Sequence, residues 1–190
     1  QPKVDTPRLL FGVHPCDVNA LLSLDQVFLG NYPDGHYRAR RENTVIVGLN
    51  CSQPCKNGFC SSFSTGPAMD KGFDLILTDI GDGFIIEIGS EKGSNLVNGL
   101  SKASEEEIVV KNQTLRAAQQ MITRRIDAEN LAELLHQNVE HPVWQELKEE
   151  CLACGSCTNV CPTCFCFAVK DYVDLSLQSG VRVRTWDSCQ

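Results

Sequence analysis

The sequence predicts an α+β protein: a mixed α/β sheet domain with a cysteine-rich loop over residues 1–103, a helical connector over 104–150, and a small cysteine-rich domain over 151–190. Three observations carry that expectation. Short β-branched apolar runs bounded by Gly/Pro loops fill the first half, and helical periodicity with capping signals takes over at Ser104. Seven of the eleven cysteines then gather between Cys151 and Cys189, whereas Ser61 to Glu150 contains none.

The elements follow in chain order. Pro15 and Asp17 predict the start of a short helix through Ala20, Leu21, Leu22 and Leu24, with Asp17 as its cap. Val45-Ile46-Val47-Gly48-Leu49 is a compact apolar strand ended by a loop of Cys, Pro and Gly. Phe73 to Asp79 and Phe84 to Ile88 flank Ile80-Gly81-Asp82-Gly83, a hairpin signal, so a sheet of at least three strands with a buried face is expected. Ser104 with Glu107 three residues on is a capping-box pattern, and Glu105, Glu106 and Glu107 suit the positive end of a helix dipole. A second helix is expected after Asp127, carrying Leu131, Leu134, Leu135 and Val139 at helical spacing. Pro142 suits the first turn of a third, whose apolar side is Val143, Trp144 and Leu147 and which leads directly into Cys151.

Composition excludes several classes. With 17 Lys+Arg against 24 Asp+Glu the net charge is -7, and such a chain has no positive excess to displace phosphate counterions, so no nucleic-acid partner is expected. No apolar run approaches the roughly 20 residues of a bilayer span, so no membrane span is expected either. The start, Gln1-Pro2-Lys3-Val4-Asp5, has no apolar signal region, and an odd cysteine count without an export signal argues against a disulfide framework. Lacking an initiator Met and stopping at Ser188-Cys189-Gln190, the chain reads as an internal stretch of a longer polypeptide.

The chemistry-bearing motif is Cys151-Leu152-Ala153-Cys154-Gly155-Ser156-Cys157-Thr158-Asn159-Val160-Cys161-Pro162, that is C-x2-C-x2-C-x3-C-P. Three thiolates at two-residue gaps can wrap one face of a cluster through a tight loop, and Gly155 and Ser156 let backbone amides approach the sulfurs. This is the bacterial ferredoxin spacing for a 4Fe-4S cluster, in which the fourth Cys binds the other cluster of a pair. The third domain is therefore expected to be a ferredoxin-type, helical iron-sulfur domain, incomplete at its C-terminus. Cys151, Cys154, Cys157 and Cys161 are its expected ligands. Cys161 then needs a second cluster, and the first three need one more thiolate, from beyond Gln190 or from Cys164, Cys166 or Cys189. Zinc is the competing reading, but only three residues separate Cys154/Cys157 from Cys161/Cys164, against about 15–20 between the pairs of a zinc ribbon.

The amino-terminal thiols are Cys16, Cys51, Cys55 and Cys60, the last three at C-x3-C-x4-C spacing in a turn-rich loop. Two readings stand side by side: an additional cluster, or buried structural cysteines behaving as small hydrophobes. His14 could be a ligand, though a His before a helix start more often makes a capping hydrogen bond. Arg38-Ala39-Arg40-Arg41 could grip an anionic cofactor or be a salt-bridged surface. Nothing resembles a Ser-His-Asp or Cys-His nucleophile set, so no catalytic residue is assigned.

Val13-His14-Pro15-Cys16-Asp17, Tyr37-Arg38-Ala39-Arg40-Arg41-Glu42, the Cys51 to Cys60 loop, Ser64-Thr65-Gly66-Pro67, His141-Pro142-Val143-Trp144, the ferredoxin motif running on to Phe167, and Trp186-Asp187-Ser188-Cys189 occur in that order. Together they resemble the iron-sulfur beta subunit of cytosolic nickel-iron hydrogenases (sulfhydrogenases) and the related iron-sulfur component of anaerobic sulfite reductase. The resemblance implies a cytoplasmic, dicluster 4Fe-4S protein, with two or more clusters in the complete chain. Such a protein carries electrons between a hydrogenase or sulfite reductase module and a flavin-containing, NAD(P)-linked subunit. It also implies more chain at both ends, with a second cysteine motif after Gln190. One departure is Gly58-Phe59-Cys60, where the family tends to carry Cys-Phe-Cys, which leaves the ligand set of any amino-terminal cluster open. Two alternatives remain: a zinc-stabilised interaction module without redox role, and an α/β part that binds a substrate or flavin.

Overall fold

A computed structural model describes residues 6–187. The fold is α+β, and it divides into two compact units between Leu131 and Ala132.

The first unit is built on a four-stranded sheet of order β1-β2-β3-β4, with β1 Arg8–Val13, β2 Thr44–Leu49, β3 Leu75–Asp79 and β4 Phe84–Ile88. β1 and β3 both pair with β2 in parallel, and β4 returns antiparallel to β3. The central strand, Thr-Val-Ile-Val-Gly-Leu, is apolar without alternation because both of its faces are covered. Ile46 and Ile76, each 1% exposed, anchor the core with Val18, Val47, Leu75, Ile85, Ala118 and Ile122. Burying an aliphatic side chain of this size stabilises the fold by about 1.5–3 kcal/mol. The hairpin signal between β3 and β4 is borne out: Gly81 sits at φ 96°, where a side chain is strained, and its amide donates to Asp79 Oδ1 at 2.8 Å.

Helix α1 (Pro15–Phe28) starts earlier and runs longer than the sequence suggested, with His14 rather than Asp17 at its N-cap. Proline at the first helical position explains the difference. Its fixed φ is already helical and its missing N–H is one the helix would leave unbonded, so the turn begins there and Asp17 falls inside it, favourably placed for the dipole. Helix α2 (Gly35–Glu42) docks on α1 through Asp25, which accepts from Arg41 and from the Tyr37 hydroxyl at 2.7 Å, while Phe28 stacks on Tyr37. Arg41 of the basic run is thereby held in an ion pair.

A short helix α3 (Glu91–Ser94) follows β4, and α4 (Glu105–Met121) opens on the expected capping box, with both reciprocal Ser104/Glu107 hydrogen bonds formed. A buried carboxylate joins several of these parts. Asp74 accepts from the Ile46 amide at 2.7 Å and from the Ser90 hydroxyl, so β2, β3 and the start of α3 meet on one side chain.

The second unit holds α5 (Leu131–Gln137, whose first residue closes the first unit), α6 (Val143–Glu150), α7 (Ser156–Val160) and an antiparallel hairpin, β5 Phe167–Val173 with β6 Gly180–Trp186. The hairpin is an element the sequence reading did not contain. It is held by the ladder from Phe167↔Trp186 to Val173↔Gly180, by a two-pronged Arg182 to Asp171 ion pair directly across the strands, and by Arg184 over the Phe167 ring. None of the described residues of this unit is buried. A unit this small and without a hydrophobic core of its own depends on other sources of stability, of which bound metal is one. Among the described residues, no helix is long and apolar enough to cross a membrane.

Candidate metal centre

The carboxy-terminal cysteines lie on one continuous turn-helix segment. Cys151 caps the C-terminus of α6, its amide donating to Leu147 O at 3.0 Å. The chain then reverses through Ala153 at φ 50° and Gly155 at φ 71°, two left-handed residues that bracket Cys154. Such a reversal turns amides toward the sulfurs: Ala153 N–H donates to Cys151 Sγ at 3.4 Å. Cys157 lies within α7 and Cys161 caps its C-terminus, the Cys161 amide donating to Cys157 O at 3.1 Å.

The electrostatics of this loop favour thiolates. Cys154 Sγ lies 3.2 Å from Ser156 Oγ, and the Ser156 hydroxyl and amide hold its thiol below the ordinary value. Thr163 acts in the same way on Cys161, 3.2 Å away. The thiolate is the ligating form, so groups that stabilise it prepare a metal site. The sequence reading had not singled out Thr163, whose signal is a hydroxyl two residues after a ligand candidate, matching Ser156 after Cys154.

The interval between the cysteines, C-x2-C-x2-C-x3-C-P, is that of an iron-sulfur cluster and not of a zinc ribbon. None of the ten described cysteines is in a disulfide, and among the described residues no three His, Cys, Asp or Glu side chains converge as they must around one metal ion. Tetrahedral zinc with Zn–S near 2.3 Å brings its sulfurs to about 3.8 Å from one another. In a cubane each thiolate binds a different iron, so the sulfurs stand further apart. Cys189, the last of the cysteines, lies outside the described residues.

The four amino-terminal cysteines, distant in sequence, come to one end of the first unit's sheet. β1 and β2 are parallel neighbours with Val13 opposite Gly48, so the segments that follow them leave the sheet side by side. His14 Nδ1 lies 3.3 Å from Leu49 O and 3.5 Å from Cys51 Sγ, tying the start of α1 to the end of β2. The Cys51 amide donates to Pro67 O at 2.9 Å, folding the loop back on itself. A methyl group on Gly66 would lie 3.0 Å from Cys60 Sγ and 3.7 Å from Pro15 Cβ, so Cys60 and the first turn of α1 flank that glycine. Burial pushes the Cys51 thiol up to about 11, with the Cys16, Cys60 and Cys55 thiols next among the causes. Cys16 is raised by burial and by Asp17, against the opposing effect of the first-turn amides. Behind Cys51 stands Asn50, 2% exposed, which donates to Thr78 Oγ1 at 2.9 Å and accepts from the Met69 amide.

Residues 150–190 match the family described as the 4Fe-4S dicluster domain. The chain carries a 4Fe-4S dicluster domain. Over 189 residues, 97% of the chain, it is also 37% identical to the sulfhydrogenase 2 subunit beta of Pyrococcus furiosus. The match covers 56% of that relative, so the chain spans about half the length of the curated relative it resembles. No solved structure matches it. The resemblance read from the sequence thus holds across both units, and the dicluster match coincides with the loop whose left-handed residues and thiolate-favouring donors are described above.

Proposed function

We propose that the chain is the iron-sulfur electron-transfer part of a cytoplasmic hydrogenase-type complex, relaying electrons between a hydrogenase or sulfite reductase module and a flavin-containing, NAD(P)-linked subunit. The observation that carries this reading is the dicluster domain lying within a similarity to a hydrogenase beta subunit that runs the length of the chain. When bound, a 4Fe-4S cluster supplies one-electron transfer, the added charge being spread over its irons.

In this reading Cys151, Cys154 and Cys157 bind one cluster, with a fourth thiolate from outside the motif, and Cys161 reaches the partner cluster. The left-handed residues Ala153 and Gly155 reverse the chain on either side of Cys154. The Ala153 amide donates to Cys151 Sγ, and the Ser156 and Thr163 hydroxyls lie 3.2 Å from Cys154 and Cys161, where they would donate to the thiolates of a bound cluster and so tune its potential. The chain's own side chains perform no bond chemistry in this reading, in which residues 104–150 serve as connector and 151–190 as cluster domain, whereas the compact units divide between Leu131 and Ala132.

Anaerobic purification followed by iron, sulfide and zinc analysis tests the proposal. The expected result is a brown protein whose visible absorbance bleaches with dithionite, together with a Cys154→Ser variant that has lost about four irons and four sulfides per chain. Equimolar zinc without sulfide would establish a zinc-stabilised interaction module instead. Reduction of the clusters by NAD(P)H when the flavin protein is present, and not in its absence, tests the partner.

A further inference from the structure

We propose that the outer edge of β1 seats a further strand, supplied by a part of the complete polypeptide that leads into β1 and lies outside residues 1–190. The sheet ends at β1, which among the described residues pairs with β2 alone. The Arg8 amide donates to Asn43 O at 2.8 Å on the β2 side, so by alternation the Leu9 and Phe11 amides point away from the sheet. Their side chains share one face and are 58% and 71% exposed. An open edge is a template for pairing, which proteins ordinarily blunt with a charge, a proline or a bulge. The other edge strand, β4, carries such a charge at Glu87, paired with Lys111 of α4 at 2.9 Å. From Leu9 to Val13 there is no charge and no proline.

The opposite face of the edge indicates what the added strand brings. There Leu10 joins Leu21 of α1, Tyr37 of α2 and Ile46 of β2 around a partly open cavity of about 160 Å³ with apolar walls. An apolar cavity of roughly 150 Å³ holds a benzene ring, so one aromatic or leucine side chain of the added strand suits it. The side chains on either side of that one would lie against Leu9 and Phe11, so the strand is expected to be apolar on both faces, as β2 is. An edge of this character fits a permanent neighbour, because lasting interfaces are the more apolar ones. The sulfhydrogenase relative is matched over only 56% of its length, so a chain of that kind has much more polypeptide to pack. β1 is the first described element of the first unit, and consecutive strands are usually neighbours, so a strand leading into β1 reaches the open edge through a single turn and pairs antiparallel. The proposal rests on the reading of the chain as part of a longer beta subunit.

The test uses the full-length protein, prepared anaerobically with p-benzoylphenylalanine in place of Phe11. Irradiation followed by peptide mass spectrometry is expected to join position 11 to a peptide of the same copy upstream of Gln1, and mixing isotope-labelled with unlabelled protein separates this from a link between two copies. The second measurement needs no substitution. Hydrogen exchange resolved to single residues is expected to find the Leu9 and Phe11 amides within about tenfold of the Leu10 amide, which points toward β2. A link to a second copy or to another subunit, no link at all, exchange of Leu9 and Phe11 at the rate of an unstructured peptide, or an intact mass with nothing before Gln1 would each overturn the proposal. None of these touches the electron-transfer reading, whose failure would show in the iron and sulfide content instead.

Discussion

Asn50 is the residue whose removal most directly tests how the first unit holds its thiols. Its carboxamide is buried at the end of β2, donating to Thr78 Oγ1, itself 0% exposed, and accepting from the partly buried Met69 amide at 3.3 Å. Asn50→Ala strands the Thr78 oxygen, at about 1–3 kcal/mol for an unsatisfied buried group, and removes the longer Met69 bond, at about 0.5–1.5 kcal/mol, since water can partly replace it. The expected loss is the sum, about 1.5–4.5 kcal/mol, before any contribution from the space vacated. A chain with two units and metal does not unfold in one step, so the measurement is native-state hydrogen exchange on peptides covering β2 and β3. The control is Asn50→Leu combined with Thr78→Val. Replacing both polar partners leaves neither unsatisfied, so the pair is expected to be less damaging than the two single changes added, by a coupling of about 0.5–3 kcal/mol. A change in opening free energy below about 0.5 kcal/mol for Asn50→Ala, the range of an ordinary surface substitution, would refute the reasoning.

Other consequences follow from single positions. Gly93→Ala would place a methyl carbon 1.9 Å from the Asp74 carbonyl oxygen, and because the obstacle is backbone the cost should reach or exceed the about 1–3 kcal/mol of ordinary overpacking, visible as faster exchange in the β3–β4 hairpin. At Gly155, φ 71° with nothing within 4 Å of a new Cβ, the penalty is conformational, about 1–2 kcal/mol for a residue forced into the left-handed region; lower iron occupancy with unchanged exchange in the first unit is expected for Gly155→Ala, and a milder loss for Gly155→Asn. Ser104→Ala removes one half of the capping box and should cost about 1 kcal/mol, read as loss of protection in the first turns of α4.

The parts of the fold legible in the sequence were those specified locally. β2, the β3–β4 hairpin, the capping box at Ser104 and the helix that runs into Cys151 each carry their signal within a few residues. β1 was missed because Arg8-Leu-Leu-Phe-Gly-Val is interrupted by Gly12 at φ 73° and has no turn signal joining it to a neighbouring strand, its partner β2 starting only at Thr44. α2 was missed for a related reason. Its sequence, Gly-His-Tyr-Arg-Ala-Arg-Arg-Glu, is polar all round, and what holds it is the docking of Tyr37 and Arg41 on Asp25, a residue on another helix. The β5–β6 hairpin shows period-two alternation only weakly, and a long six-residue connection from Asp174 to Ser179 carries its turn through Asp174 side-chain bonds instead of a Gly-rich pair.

The two cysteine sets differ in the same physical way. Cys151, Cys154, Cys157 and Cys161 are spaced by the geometry of one loop and one helical turn, so their relation is fixed by the sequence interval itself and can be read without knowing the fold. Cys16 and Cys51 are 35 positions apart, and what makes them neighbours is that β1 and β2 run parallel and end together. No interval encodes that. The informative residues are then not the cysteines but the ones that set the ends of the strands beside each other: His14 spanning to Leu49 and Cys51, Asn50 buried against Thr78, and Gly66 leaving room between Cys60 and Pro15. Changes at His14, Asn50 and Gly66 are therefore expected to speed alkylation of Cys51 and Cys60 while leaving the iron of the dicluster domain in place, and labelling equal to that of the unchanged chain would refute the view that these contacts hold the thiols.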